Sequence, residues 1–171
     1  MNRPSIHLVT WSDSDLSLLR RINTPAMRAH VGGPETEDQL LRRHHRYLTL
    51  RGGRMFRIEL PDGEATGSVA FWSRVWRGTD VYESGWNVLP EFQGQGIATA
   101  AVQAVLAAAR ADGRHRWLHA FPSVANAGSN AVCRKVGFTL VEETDFEYPP
   151  GHLMRSNDWR YDLHAPVANP A

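Results

Sequence analysis

The stretch Val88-Leu89-Pro90-Glu91-Phe92-Gln93-Gly94-Gln95-Gly96-Ile97-Ala98 constrains this chain more than any other. Val81 to Leu89 reads as a strand, and Pro90, which cannot donate to a ladder, stops it. Ile97 to Ala111 reads as a helix rich in alanine, the strongest helix former. The loop between them holds two glycines and no acidic residue after Glu91. A strand, a glycine loop and a helix N-terminus in that order make an anion cradle. The first-turn N–H groups have no intrahelical acceptor, and the helix dipole adds partial positive charge there. Gly94 and Gly96 lack a Cβ, so a phosphate can approach the backbone closely. The loop has no Gly-Lys-Ser/Thr, which excludes a P-loop. Its spacing is not Gly-x-Gly-x-x-Gly and no βαβ unit begins the chain, which argues against a dinucleotide fold.

The elements around this stretch follow in a definite order. Ile6 to Val9 is a short strand, and Asp13 and Asp15 offer caps to a helix carrying Leu16, Leu19 and Ile22 on one side. Thr36-x-x-Gln39 is a capping box for a second helix with Leu40, Leu41, His44, Tyr47 and Leu48 on its apolar face. Arg54 to Leu60 and Thr66 to Arg74 are strands joined by Pro61-Asp62-Gly63-Glu64, and a turn at Arg77 to Asp80 leads to the strand Val81 to Leu89. After the alanine-rich helix, Trp117 to Phe121 reads as a strand parallel to Val81–Leu89, because a helix crosses between them. Asn126 caps a further helix that stops at Gly137, and Thr139 to Phe146 and Trp159 to Leu163 are the last strands. The layout is α+β, a mostly antiparallel sheet with a parallel βαβ core and flanking helices.

Composition narrows the function classes. A chain of 171 residues with 42% hydrophobic and 22% charged content reads as one domain over residues 1–164, with a frayed tail at 165–171. A net charge of +1 predicts no broad attraction to nucleic acid or to a membrane surface. The single Cys133 leaves no internal disulfide and suits a reducing cytoplasm, and no apolar run is long enough to span a bilayer. His44-His45 lacks a matching ligand cluster, so no metal site is expected.

Gln93-Gly94-Gln95-Gly96-Ile97-Ala98 fits Gln/Arg-x-x-Gly-x-Gly/Ala and resembles the acetyl-CoA pyrophosphate loop of the GNAT superfamily of N-acetyltransferases. Glu83-Ser84-Gly85-Trp86-Asn87-Val88-Leu89-Pro90 looks most like the RimJ/RimL branch. Asn126-Ala127-Gly128-Ser129 with Lys135-Val136-Gly137-Phe138 resembles a second signature of the family. The resemblance implies a GNAT-like acyl-CoA N-acyltransferase fold whose fourth and fifth strands part to admit the pantetheine arm. It implies that backbone groups of Asn87, Val88 and Leu89 hold that arm. The N–H groups of Gln93, Gly94, Gln95, Gly96, Ile97 and Ala98 would hold the pyrophosphate, and Asn126 and Ser129 would face the arm or the thiol. It implies acetyl transfer from acetyl-CoA to a primary amine, a protein N-terminus or a small molecule, by direct attack in a monomer or homodimer. The alternative is a regulatory module that keeps the acyl-CoA site without catalysis.

The chemistry requires a neutral amine, an oxyanion donor and a proton for the departing thiolate. Glu83, ten residues before Gln93, matches a glutamate of the RimJ/RimL pattern and is the expected base; its plainer reading is a structural strand carboxylate. Ser129 is the expected proton donor to the thiolate, and Cys133 reads as a small buried hydrophobe. His119 reads as a core or surface histidine, and Arg42, Arg43 and Arg46 as a solvated helix face rather than a site for an acidic partner. One of Trp72, Trp76 and Trp86 is a candidate for the acceptor pocket.

Overall fold

The computed structural model describes residues 4–166. Seven strands form one sheet in the order β1-β2-β3-β4-β5-β7-β6. They are β1 (His7–Thr10), β2 (Gly53–Glu59), β3 (Ala65–Trp76), β4 (Thr79–Val88), β5 (Trp117–Ala120), β6 (Thr139–Glu147) and β7 (Leu153–Asp162). Every neighbouring pair is antiparallel except β4 and β5. Helices α1 (Leu16–Ile22) and α2 (Glu37–Leu48) cover one face, and α3 (Ile97–Asp112) and α4 (Ala127–Val136) cover the other.

Strand alternation divides the core between those faces. Phe56, Ile58, Val69, Phe71, Tyr82, Val88 and Leu118 pack with Ala101, Val102, Val105 and Leu106 of α3. Met55, Ala70 and Leu89 pack with Leu18, Leu19 and Ile22 of α1 and Leu40 of α2. The capping box of α2 is present, with Gln39 N–H donating to Thr36 Oγ1 and Thr36 N–H donating to Gln39 Oε1.

Two boundaries differ from the sequence reading. The β3–β4 connection is a two-residue turn, Arg77-Gly78, with both residues left-handed at φ 50° and 77°. That geometry matches strand twist, so β3 runs on to Trp76 and β4 begins at Thr79. Likewise β7 begins at Leu153 rather than Trp159. Its first half hides from a hydrophobic scan because its buried residues are polar, Ser156 and Asp158, while Leu153 is exposed. The tail reading falls largely on residues 167–171, outside the described residues.

What parts β4 from β5 is visible in the pairing. The two strands share only Tyr82↔Leu118 and Glu83↔His119. Beyond Ala120 the chain turns from β4 and follows β7: Asn157 N–H donates to the Pro122 carbonyl at 3.0 Å, Ser123 bridges Ser156, and Val124 N–H donates to the Arg155 carbonyl. Buried Asn130 on α4 fastens this bend. Its Nδ2 donates to the carbonyls of Ser123 and Asn126, and its Oδ1 accepts from Asn157 Nδ2 and Trp159 Nε1, all within 2.9 Å. Asn130→Ala strands several of these buried groups. A stability loss of about 2–4 kcal/mol is expected in urea unfolding, and an unchanged midpoint would show the latch to be dispensable.

Candidate active site

The parted strands open into a cavity of about 490 Å³. Glu83, Gly85 and Asn87 of β4 line one side, with Ser68, Ala70 and Trp72 opposite them in register on β3. Phe121, Pro122, Ser123, Asn126 and Ser129 line the side beyond β5. Two separated pieces of sequence, Glu83–Asn87 and Asn126–Ser129, thus meet across the gap.

Past the end of β4, Gly94 and Gly96 adopt left-handed φ values of 75° and 79°, which a side chain resists. A Cβ on Gly94 would meet nothing within 4 Å, so the loop presents bare backbone outward. The first bond of α3 runs from Ala100 N–H to the Gly96 carbonyl at 3.0 Å, which leaves the N–H groups of Ile97 and Ala98 facing the loop. Gln95 Nε2 donates to the Glu91 carbonyl, and the Glu91 carboxylate is held by Arg21 at 2.6 Å. Gln93 is different from its neighbours. Its N–H is taken by the Pro90 carbonyl and its Nε2 donates to the Val88 carbonyl at 2.8 Å, so it staples the loop to the end of β4.

The β4 backbone is likewise selective. Leu89 N–H donates to the Thr66 carbonyl at 2.8 Å, so it is not open to a ligand in the gap. The alternation of an antiparallel ladder then turns the N–H groups of Val88 and Trp86 away from β3 and into the gap. Asn126 Oδ1 accepts the Ser129 N–H at 3.1 Å as the cap of α4. The half-buried Ser129 hydroxyl borders the cavity. Cys133 lies one turn further along and is fully buried, and burial pushes its thiol up to about 12.

Glu83 is the carboxylate at the centre. Its side chain is 12% exposed and its Oε2 accepts from Arg74 Nη1 at 2.6 Å. Burial pushes the carboxyl above the usual carboxylate range, and the Arg74 guanidinium only partly pulls it back. Arg74 is placed by an aromatic nest, its Cζ 4.7 Å from the Phe146 ring centroid and 5.6 Å from those of Trp76 and Phe121. His119, paired in register with Glu83, turns its Nδ1 to Asp158 Oδ1 at 2.6 Å, and Asp158 Oδ2 accepts from Trp76 Nε1. His119 and Asp158 are both buried.

The reading of Arg42, Arg43 and Arg46 as a solvated face is corrected at Arg43, which is buried and lines the cavity with Arg28. Arg43 lies three residues after Leu40 and four before Tyr47, on the apolar stripe of α2, and that spacing was the available signal. Arg74 and Tyr148, also at the cavity or on Glu83, carried no such signal, because cross-strand register and hairpin placement bring them there. Trp72 and Trp86 both border the cavity, whereas Trp76 serves Asp158.

The same fold occurs in solved N-acetyltransferases. Spermidine N-acetyltransferase from Vibrio cholerae, in complex with CoA and spermine, superposes with a TM-score of 0.76 at 15% identity, covering 92% of this chain and 95% of that one. The acetyltransferase from Salmonella typhimurium that modifies the N-terminal serine of 50S ribosomal subunit protein L7/L12 gives 0.76 at 20% identity, over 92% and 95%. An acetyltransferase of the GNAT family from Bacillus anthracis gives 0.78 at 16% identity, over 96% and 99%. No curated protein matches the chain by sequence. Residues 5–139 match the model of the acetyltransferase (GNAT) domain, and the chain belongs to that family. It is an acetyltransferase of the GNAT type. Among the described residues, no helix is long and apolar enough to cross a membrane and no group of three metal-binding side chains gathers.

Proposed function

We propose that this chain acetylates a primary amine bound in the cavity between the parted strands, in one domain spanning residues 1–164 and in a reducing cytoplasm, with Glu83 as the base. The observation that carries the assignment is the meeting of Glu83, Asn87 and Ser129 around one cavity, with the N–H of Val88 turned away from β3 and the bare glycine loop following the end of β4. Residues 94–98 fit a pyrophosphate because their backbone is uncovered and positively polarised. Acetyl-CoA supplies the acyl carbon and a thiolate leaving group.

Glu83 takes a proton from the bound ammonium, directly or through one water, and the lone pair this frees then forms the C–N bond. A carboxyl raised by burial is a better base near neutral pH than an exposed one. Val88 N–H donates to the oxygen that gains charge, and no reorganisation is needed because the ladder fixes its direction. As the C–S bond breaks, Ser129 Oγ–H donates to the sulfur and regains its proton from water. Asn126 serves by holding the first turn of α4, and so Ser129, in place.

A screen of amines with acetyl-CoA, following free thiol, tests this reading; steady turnover excludes a module that binds without catalysis. Ser129→Ala is expected to slow turnover about tenfold or more with CoA affinity preserved, and Cys133→Ala to leave it nearly unchanged, since a thiol at about 12 buried away from the cavity donates to nothing there. The reverse ranking in folded variants would move the proton-donor role to Cys133.

A further inference from the structure

The wall of the cavity facing away from the strand gap is cationic. Arg43 and Arg46 of α2, with Arg28 and His30 from the segment before it, line that wall. Arg28 and Arg43 are only 4% and 2% exposed, yet they share a single carboxylate. Glu35 lies 2.6 Å from Arg43 Nη2 and 3.8 Å from Arg28 Nη2. Two buried cations against one anion leave an excess charge that burial makes costly unless something else compensates it.

Arg28 is well satisfied, since its guanidinium donates to the carbonyls of Gly33 at 3.2 Å and Val31 at 3.4 Å. Arg43 is not. Its Nη2 is held by the Glu35 carboxylate at 2.6 Å and Tyr47 partners its guanidinium, but its Nε has no hydrogen-bond acceptor. Arg46, exposed at the rim one turn from Arg43, makes no ion pair among the described residues. The lining offers two carboxylates in return, and both are engaged: Glu83 by Arg74, and Glu147 by the Gly151 N–H at 2.6 Å. Four arginines (28, 43, 46 and 74) therefore stand against three glutamates, 83 and 147 on the lining and 35 beside Arg28 and Arg43. A polycation would meet like charge there, and an anion would meet a desolvated guanidinium short of acceptors.

We infer that the acceptor is an amine that also bears a carboxylate, held by Arg43 and Arg46 while its amino group reaches Glu83. This rests on the acetyltransferase reading and specifies its substrate class. Tyr47, whose ring centroid is 5.9 Å from Arg43 Cζ, and Leu50 and Met27 give the carbon skeleton of such a molecule an apolar wall.

The test measures kcat/KM by thiol release for matched carboxylate and carboxamide acceptors, compared at equal concentrations of neutral amine. The pairs are L-phenylalanine with its amide, 4-aminobutanoate with its amide, and seryl-aspartate with seryl-asparagine amide; spermidine is the polycation control. The carboxylate member of at least one pair is expected to be roughly tenfold or more the better substrate, with spermidine the poorest. Arg46→Glu, at the rim where folding is not at stake, is expected to cut the carboxylate-to-amide ratio at least about fivefold. Arg43→Gln is expected to cut it further wherever the variant folds. Amides equal to or better than acids in every pair, preference for spermidine, or a ratio untouched by Arg46→Glu would each overturn the inference while leaving the acetyltransferase intact. Turnover with none of the panel overturns it too, and calorimetric CoA binding by the same preparation then decides whether the acyl-CoA site stands.

Discussion

Gly96→Asp is expected to weaken CoA binding by roughly 30–150-fold, about 2–3 kcal/mol, in titration calorimetry. The residue sits at φ 79° at the start of α3, where Asp is among the side chains that tolerate the left-handed region best. Its Cβ would lie 3.5 Å from Pro4 Cδ, an ordinary contact, so the variant has room to fold. What it adds is a negative charge at the polarised N-terminus where the pyrophosphate is proposed to lie. Two unit charges about 4 Å apart repel by about 4 kcal/mol at an intermediate dielectric, and the exposure of this loop discounts that figure. Unchanged affinity in a variant with native far-ultraviolet dichroism would remove the loop from the binding site.

Glu83→Gln carries the other large effect. A loss of about 100-fold in kcat at neutral pH is expected, with CoA affinity nearly intact. Glutamine keeps the shape and can still accept from Arg74, but it cannot take the proton. The sign of the pH dependence follows from the environment. Burial holds the Glu83 carboxyl above the ordinary range, so the wild-type rate falls with acidification at a higher pH than a solvated glutamate would give. At high pH the amine reaches the site already neutral, no base is needed, and the deficit of the variant shrinks. A rate and pH profile identical to wild type would leave Glu83 as a structural partner of Arg74.

The sequence made the order of elements legible wherever periodicity and turn chemistry agreed. Thr36 and Gln39 marked the start of α2, Asp62-Gly63 marked the β2–β3 turn, and the glycine loop marked the passage from β4 to α3. It misplaced the start of β7 because that half-strand buries hydroxyl and carboxylate groups in place of apolar ones. The Glu83–Asn87 and Asn126–Ser129 halves of the candidate site were legible because each lies within a few residues. Arg74 was not, since its contact with Glu83 depends on the register that the Arg77-Gly78 turn imposes across β3 and β4. The basic wall was misjudged for a different reason. An arginine on an apolar stripe reads as a surface residue until the segment 23–36, closed at its base by Asn23 and Glu35, is seen to bring the Glu35 carboxylate against it.

The sheet keeps two cores apart, Tyr82 and Val88 with α3 on one side and Ala70 and Leu89 with α1 and α2 on the other. The helix that follows the glycine loop packs on the first, while Tyr47 packs on the second beside Arg43, and both of these line the cavity that holds Glu83. The two cores share Phe92, which packs against both, and otherwise have separate packing partners, so substitutions away from Phe92 combine additively. Descent can therefore rewrite α2 and the segment before it, one residue at a time, and exchange one acceptor for another while the donor's berth is inherited unaltered.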